Sequence, residues 1–273
     1  MRVIRPSQLG NYNNCARSVA AKLWAEDVAL AGFSIPRLPA AAGAAVGTTA
    51  HEIIADMLIK QRDEGRAPEV SEYKEAIESK FIEKIDKEGI EWDATTRDEH
   101  VAIKQITTQV GIYRTYVLPR KKPVLVEHQL RAELEPGMVV EGRLDEYDDA
   151  QYVGDEKFGA RFKHHGIQLA TYGLLLEAHG KPVKGLREYW IPRVGPKTPP
   201  KEPVITEYDY EANKKEAIRT IKRAAADIQR FTASGDPGEF TANPHAQTCT
   251  PKYCPAWGTN FCSQWQGKPV KEE

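Results

Sequence analysis

The texture of the chain changes after Pro119, and that change limits the fold more than any other feature. Val124–Leu134, Met138–Tyr147 and Tyr152–Phe158 read as three successive strands, with Glu135-Pro136-Gly137 and Asp148-Asp149 as the turns between them. A helix is expected next, from about Phe162 to His179, closed by Gly180-Lys181-Pro182. Gly185–Ile191 and Val204–Tyr208 read as two more strands, divided by the proline-rich stretch Pro192–Pro203, and Glu211–Thr232 as a long helix. A strand meander that passes through a helix into further strands implies an α/β core, a mixed sheet with flanking helices.

The segment before Pro119 has helical character. Ser7 is expected to cap a helix running through Cys15 to about Trp24, and an Ala/Pro-rich crossing follows at Ala31–Ala45. Thr48 or Thr49 then caps a helix with apolar positions Ile53, Ile54, Met57 and Leu58, ending near Gly65. Two further helices are expected over about Ser71–Lys87 and Ala94–Val117. The resulting organisation is one domain over 1–273: a helical N-terminal part to 118, a core over 119–233, and an irregular cysteine-bearing tail from Ser234.

At 273 residues, with 41% hydrophobic and 28% charged residues, the chain can bury a full core. It contains no apolar run near the roughly 20 residues that span a bilayer. The N-terminus MRVIRPSQLGNYNNC lacks the layout of a signal peptide, so a cytoplasmic protein without membrane contact is expected. A net charge of −1 gives no global field to attract nucleic acid. Charge is uneven, however: Lys157, Arg161, Lys163, His164 and His165 form one basic strip and Lys214, Lys215, Arg219, Lys222 and Arg223 another, against an acidic stretch from Glu72 to Asp93. Such strips can grip phosphates or simply be solvated helix faces.

Chemistry concentrates between Glu141 and Lys157. Alternation along a strand puts Asp155 and Lys157 on one face and Glu156 on the other. A hairpin can bring Asp145 and Asp155 to one divalent cation; a register slip of one residue would present Glu156 in place of Asp155. Paired carboxylates suit Mg²⁺ or Mn²⁺, and a neighbouring lysine can neutralise charge that develops during phosphodiester hydrolysis.

The motif set Gly142-Arg143-Leu144-Asp145, Asp155-Glu156-Lys157 and Gln168-Leu169-Ala170-Thr171-Tyr172, preceded by Gly47-Thr48-Thr49-Ala50-His51, resembles the RecB-like branch of the PD-(D/E)xK nucleases. The resemblance implies a restriction-endonuclease-like core and metal-dependent DNA cleavage, with exonuclease action on single-stranded ends. It makes His51, Asp145 and Asp155 the side-chain metal ligands, with the backbone carbonyl of Glu156 as a fourth. Lys157 becomes the catalytic lysine, Gln168 and Tyr172 sit near the scissile strand, and Glu127 matches a family acidic position. It also implies DNA as partner, with a separate helicase, recombination or CRISPR adaptation protein as company.

Cys15 stands near the N-terminus, and Cys249, Cys254 and Cys262 form C-x4-C-x7-C in the tail. In a reducing compartment four such cysteines suggest one metal site, either zinc or a 4Fe-4S cluster, and the paired C-x2-C knuckles common for zinc are missing. The one-plus-three layout and the opening Ser7-x-Leu9-x-x-Tyr12-x-x-Cys15 resemble the iron–sulfur subgroup of RecB-like nucleases, which includes AddB-type and CRISPR-associated enzymes. The sequence departs from that subgroup in Ala16, where proline is usual, and in the longer last gap. The resemblance implies a 4Fe-4S cluster that ties the chain ends together, with zinc as the fallback.

Overall fold

The three strands of the meander form as β4 (Pro123–Glu135), β5 (Met138–Asp148) and β6 (Tyr152–Gly159), with Gly137 at φ 76° taking the left-handed position its turn requires. The computed structural model describes residues 2–195 and 197–263, so the last ten residues of the expected tail lie outside them.

Two helices, α1 (Pro6–Asn14) and α2 (Ala16–Leu23), replace the single helix expected over 7–24, with α3 (Ala25–Leu30) after them and a short strand, β1 (Arg2–Ile4), before them. Pro6, with its fixed φ, starts α1, so Ser7 lies inside the first turn and does not cap it. The break comes at Cys15, which is extended (φ −157°, ψ 96°) after a segment rich in glycine and asparagine. After β2 (Ala40–Ala41), α4 (Ala42–Glu64) begins well before Thr48, because Ala42, Ala44 and Ala45 are strong helix formers; Thr48 Oγ1 turns back to the Ala44 carbonyl. Gly65, in the left-handed region, ends it as expected.

Next come α5 (Lys74–Glu88), β3 (Ile90–Glu91) and α6 (Glu99–Tyr116), the last capped by the Asp98 side chain on Val101 N–H at 2.8 Å. Beyond β6 lie α7 (Gly166–Ala178), β7 (Gly185–Pro192), β8 (Val204–Tyr208) and α8 (Tyr210–Ser234). The expected start of α7 at Phe162 moves to Gly166.

The mixed sheet runs β1-β5-β6-β7-β8, with β4 on the other edge of β5; β1–β5 and β6–β7 are parallel and the remaining pairs antiparallel. Two apolar cores flank it. One joins α1, α2, α7, α8 and the tail through Leu9, Tyr12, Leu169, Ile228, Phe240 and Phe261. The other gathers α4, α5 and α6 around Ile54, Leu58, Phe81, Ile106, Tyr113 and Tyr189. Burial of these side chains, at ~1.5–3 kcal/mol each, clamps the sheet from both sides. No helix among the described residues is long and apolar enough to cross a membrane.

One detail of the sheet creates a site. On one edge of β5, β1 pairs with Met138–Val140 and β6 only with Glu146–Tyr147. Between these contacts β5 and β6 splay apart into a fork, and Glu141–Asp145 border it.

Candidate active site

The glycine that opens the Gly142–Asp145 motif is forced by packing. A Cβ at Gly142 would lie 2.8 Å from Pro6 Cδ and 3.1 Å from Tyr172 Cε1. Its absence lets α1 and α7 close onto the fork, bringing Ser7 and Tyr172 to the cleft beside Asp145. Gly154 plays a comparable part across the hairpin, where a Cβ would collide with the Glu146 carboxylate.

His51, on the inner face of α4, places Nε2 2.8 Å from Asp145 Oδ2 and Nδ1 3.4 Å from Glu127 Oε1. Glu127 is held in turn by Arg143 at 2.5 Å, and its backbone adopts φ 49°, a strained conformation for glutamate that turns its carboxylate toward His51. Ligand atoms of His51, Asp145 and Glu156 lie within 4.8 Å of one another. Here the placement differs from the sequence expectation. The Glu156 carboxylate stands beside His51 and Asp145, because the opposite face of β6 is the face that α4 and α6 cover. The Glu156 N–H also donates to Asp145 Oδ2 at 3.2 Å.

Asp155 points to the α7 side. Its Oδ1 accepts from Gln168 Nε2 at 2.9 Å and Lys157 Nζ at 2.8 Å, and the ammonium lies 2.6 Å from Oδ2. Gln168 and Tyr172, four residues apart, thus share the face of α7 that looks at the fork. His51, Asp145, Asp155, Glu156, Lys157, Gln168 and Tyr172 are therefore brought into one neighbourhood, distributed over both sides of β6. The cleft over it, about 350 Å³, is lined by Arg5, Ser7, His51, Glu127, Arg143 and Asp145 among others.

Electrostatics describe a site with surplus negative charge. Burial raises the Asp155 and Glu156 carboxyls, against the opposing pull of Lys157 and Lys121 respectively, and the neighbouring Asp145 adds to the rise. Burial would do the same to Asp145, but the His51 imidazole and Lys157 outweigh it and hold that acid well below the usual range. Burial opposes charge on His51, yet Asp145, Glu156 and Glu127 push it up to about 10. Burial keeps the Tyr172 hydroxyl protonated, and Asp145 reinforces the effect. Hard oxygen donors and an imidazole around one fork fit a divalent cation.

Sequence reasoning missed the support beneath this site. Lys121, fully buried, is ion-paired to Glu146, lies 3.5 Å from Glu156 Oε1, and sits 3.3 Å over the Tyr189 ring. Tyr113 on α6 donates to Glu156 Oε1 at 3.1 Å, and Gln61 on α4 grips the Lys121 carbonyl at 2.7 Å. No motif marks Lys121 or Tyr113; only the apolar stripe of α6 could have placed Tyr113 against the sheet.

The four cysteines also converge. Cys15, Cys249, Cys254 and Cys262 line one small cavity, with Ala242, Ala246 and Ala256 between them. The backbone break at Cys15 turns it to this cavity, and the tail is fastened by Arg17, whose N–H and guanidinium donate to the Thr241 and Phe240 carbonyls. Trp24 stacks on Phe240 with ring centroids 5.7 Å apart. Four soft sulfur donors around one void fit a metal centre.

Comparison with known proteins gives a family. Residues 6–259 match the profile of the PD-(D/E)XK nuclease superfamily. No curated protein matches the chain by sequence. Among solved structures, a candidate exonuclease from Eubacterium rectale is similar, at 13% identity and a TM-score of 0.46, over 74% of this chain and 85% of that one. The structure of SSO0001 is also similar, at 14% identity and a TM-score of 0.27, over 77% and 92%.

Proposed function

Because the chain belongs to the PD-(D/E)XK nuclease superfamily, we propose that it hydrolyses DNA phosphodiester bonds at the fork between β5 and β6, as an exonuclease on single-stranded ends. The observation that carries this reading is the meeting of His51, Asp145 and Glu156 beside the Asp155–Lys157 pair. His51 and Asp145 would hold Mg²⁺ or Mn²⁺, with Asp155 and Glu156 completing the set. Such a cation, when bound, acts as a Lewis acid and makes water a competent nucleophile at neutral pH.

The chain's own groups then divide the work. Lys157, anchored on Asp155, can steady the attacking water and offset charge developing on the phosphate. Gln168 fixes the Asp155 carboxylate, and Tyr172, held protonated, walls the cleft where a base or sugar would rest. The test is degradation of end-labelled single-stranded DNA with Mg²⁺, with Mn²⁺ and with chelator, by wild type and Lys157→Ala. Cleavage that needs the cation and falls by about 10³-fold in the variant supports the reading. Equal cleavage by both proteins, or cleavage indifferent to chelator, defeats it.

We further infer that Cys15, Cys249, Cys254 and Cys262 hold a 4Fe-4S cluster that staples the tail to α1 and α2. Support comes from the shared cavity and from the length of chain between Cys15 and Cys249, whose closure removes much unfolded-state entropy. Anaerobic purification with iron, sulfide and zinc analysis decides it. A brown protein with iron and sulfide agrees, and a colourless one with zinc assigns the site to zinc.

A further inference from the structure

A second cleft, of about 480 Å³, lies on the α7 side of the fork and meets the first at Ser7, which lines both. Its walls include Lys157, Lys163, His164, His165, Tyr208 and Asn213. Where the first cleft is rich in carboxylates, this one is lined by cationic and imidazole groups.

Beneath its rim sits a fully buried acid that the cleavage mechanism does not use. Glu188 on β7 is the register partner of Asp155 on β6, so the two carboxylates are neighbours across parallel strands, roughly 5 Å apart in the backbone. Glu188 Oε1 lies 3.0 Å from His165 Nδ1; Oε2 accepts from Tyr208 OH at 2.7 Å and from the His165 N–H at 3.2 Å. His164 Nδ1 lies 3.4 Å from the same tyrosine hydroxyl. A carboxylate on Nδ1 fixes the ring and leaves Nε2 to face other ligands, the arrangement by which buried acids orient functional histidines. The carboxylate itself presents no oxygen to solvent. The cleft therefore offers an anion the ammonium groups of Lys163 and Lys157, with the His164 and His165 rings beside them.

We propose that this cleft is a phosphate subsite, in which Lys163, His164 and His165 hold a DNA phosphate adjacent to the scissile one while Glu188 and Tyr208 position the histidines. The proposal rests on the nuclease reading for its substrate and adds where the strand lies: across Ser7, from the acidic cleft into the basic one. The phosphate is either a terminal monophosphate or an internal diester, and the chemistry of recognition is the same for both.

The experiment is single-stranded oligonucleotide binding in chelator as a function of salt, using internally labelled strands with 5′-phosphate, 3′-phosphate or hydroxyl ends. Lys163→Ala and His164→Ala change exposed residues and should leave thermal unfolding unaltered; Glu188→Gln and His165→Gln test the positioning pair. Each of the four is expected to weaken binding severalfold, and the Lys163→Ala/His165→Gln double variant about tenfold or more, with the salt slope shallower by about 0.7 for each phosphate left without its cationic partner. Weakening confined to one phosphorylated end identifies a terminal monophosphate, and equal weakening on all strands an internal diester. Folded Lys163→Ala and His164→Ala proteins with unchanged affinity, slope and end preference would overturn the subsite. Because binding is read without the cation, a protein that binds in this way yet never cleaves would refute the nuclease reading and leave the subsite standing.

Discussion

The fork and the cysteine cavity both collect residues from distant parts of the chain, but they are held in opposite ways. At the fork every reactive group already has a protein partner: His51 on Asp145, Lys157 on Asp155, Glu127 on Arg143, and Glu156 on Tyr113 and Lys121. Two helices and three strands hold those partners whatever the cleft contains. The cysteine cavity instead sits where the tail, whose described residues hold one 3-10 turn at Pro237–Glu239, meets α2. There Phe240 and Phe261 supply apolar packing, and Arg17 holds the Thr241 and Phe240 carbonyls. The contrast separates function from stability. On the proposed reading, withholding the cation should silence the fork and spare the fold, whereas removing a cysteine should loosen the fold first.

Paired variants sharpen that contrast most. Asp145→Asn should lower DNA cleavage by about 10³-fold with its unfolding temperature nearly unchanged, while Cys15→Ser should lose the proposed cluster and unfold at markedly lower temperature. Steady-state rates and calorimetry on both variants check this, and the reverse pattern would break the comparison.

Lys121→Ala should cost about 3–5 kcal/mol in stability, since it strands Glu146 and Glu156 in a dry interior. Lys121→Met should cost less if the apolar stem matters, and urea titration of the two distinguishes packing from charge. A milder effect is expected for Gly142→Ala. The added methyl meets the rigid Pro6 ring, so α1 must move away from the fork, at about 1–3 kcal/mol and with a raised KM.

The last expected effect is a pH dependence. His51, pushed up to about 10 in the cation-free protein, exceeds the roughly 6.5 of an unhindered imidazole. Its pair with Asp145 therefore stabilises in full below about pH 6.5, and that contribution is lost as pH rises through about 10. A bound cation has to displace the same proton, so Mn²⁺ affinity should increase with pH over this window, by up to about tenfold per unit. Calorimetric titration in buffers of different ionisation enthalpy reads both affinity and proton release. An affinity flat across the window would place the cation away from His51.

Much of this fold is legible in the sequence where local chemistry decides it. The three meander strands fall within a residue or two of expectation because Gly137 and the Asp148–Asp149 turn punctuate them, and Val204–Tyr208 matches as read. β1 is too short to show alternation, and its place beside β5 is a tertiary fact. Alternation separates Asp155 and Lys157 from Glu156, but it does not say which face of β6 His51 and Asp145 adjoin. The position of the Glu156 carboxylate depends on α4 and α6 covering that face of β6. Lys121 and Glu188 are invisible to motif reading, since a buried ion looks like any other charged residue until its partners are known. The left-handed turn at Glu127, which aims its carboxylate at His51, leaves no mark in the sequence, because glutamate rarely adopts it.

Anomalous diffraction from crystals grown with Mn²⁺ tests the fork most directly. One strong peak is expected in the splay between β5 and β6, about 2.2 Å from both the His51 imidazole and an Asp145 oxygen. A fully loaded crystal with its manganese elsewhere, and nothing touching those two side chains, would contradict it.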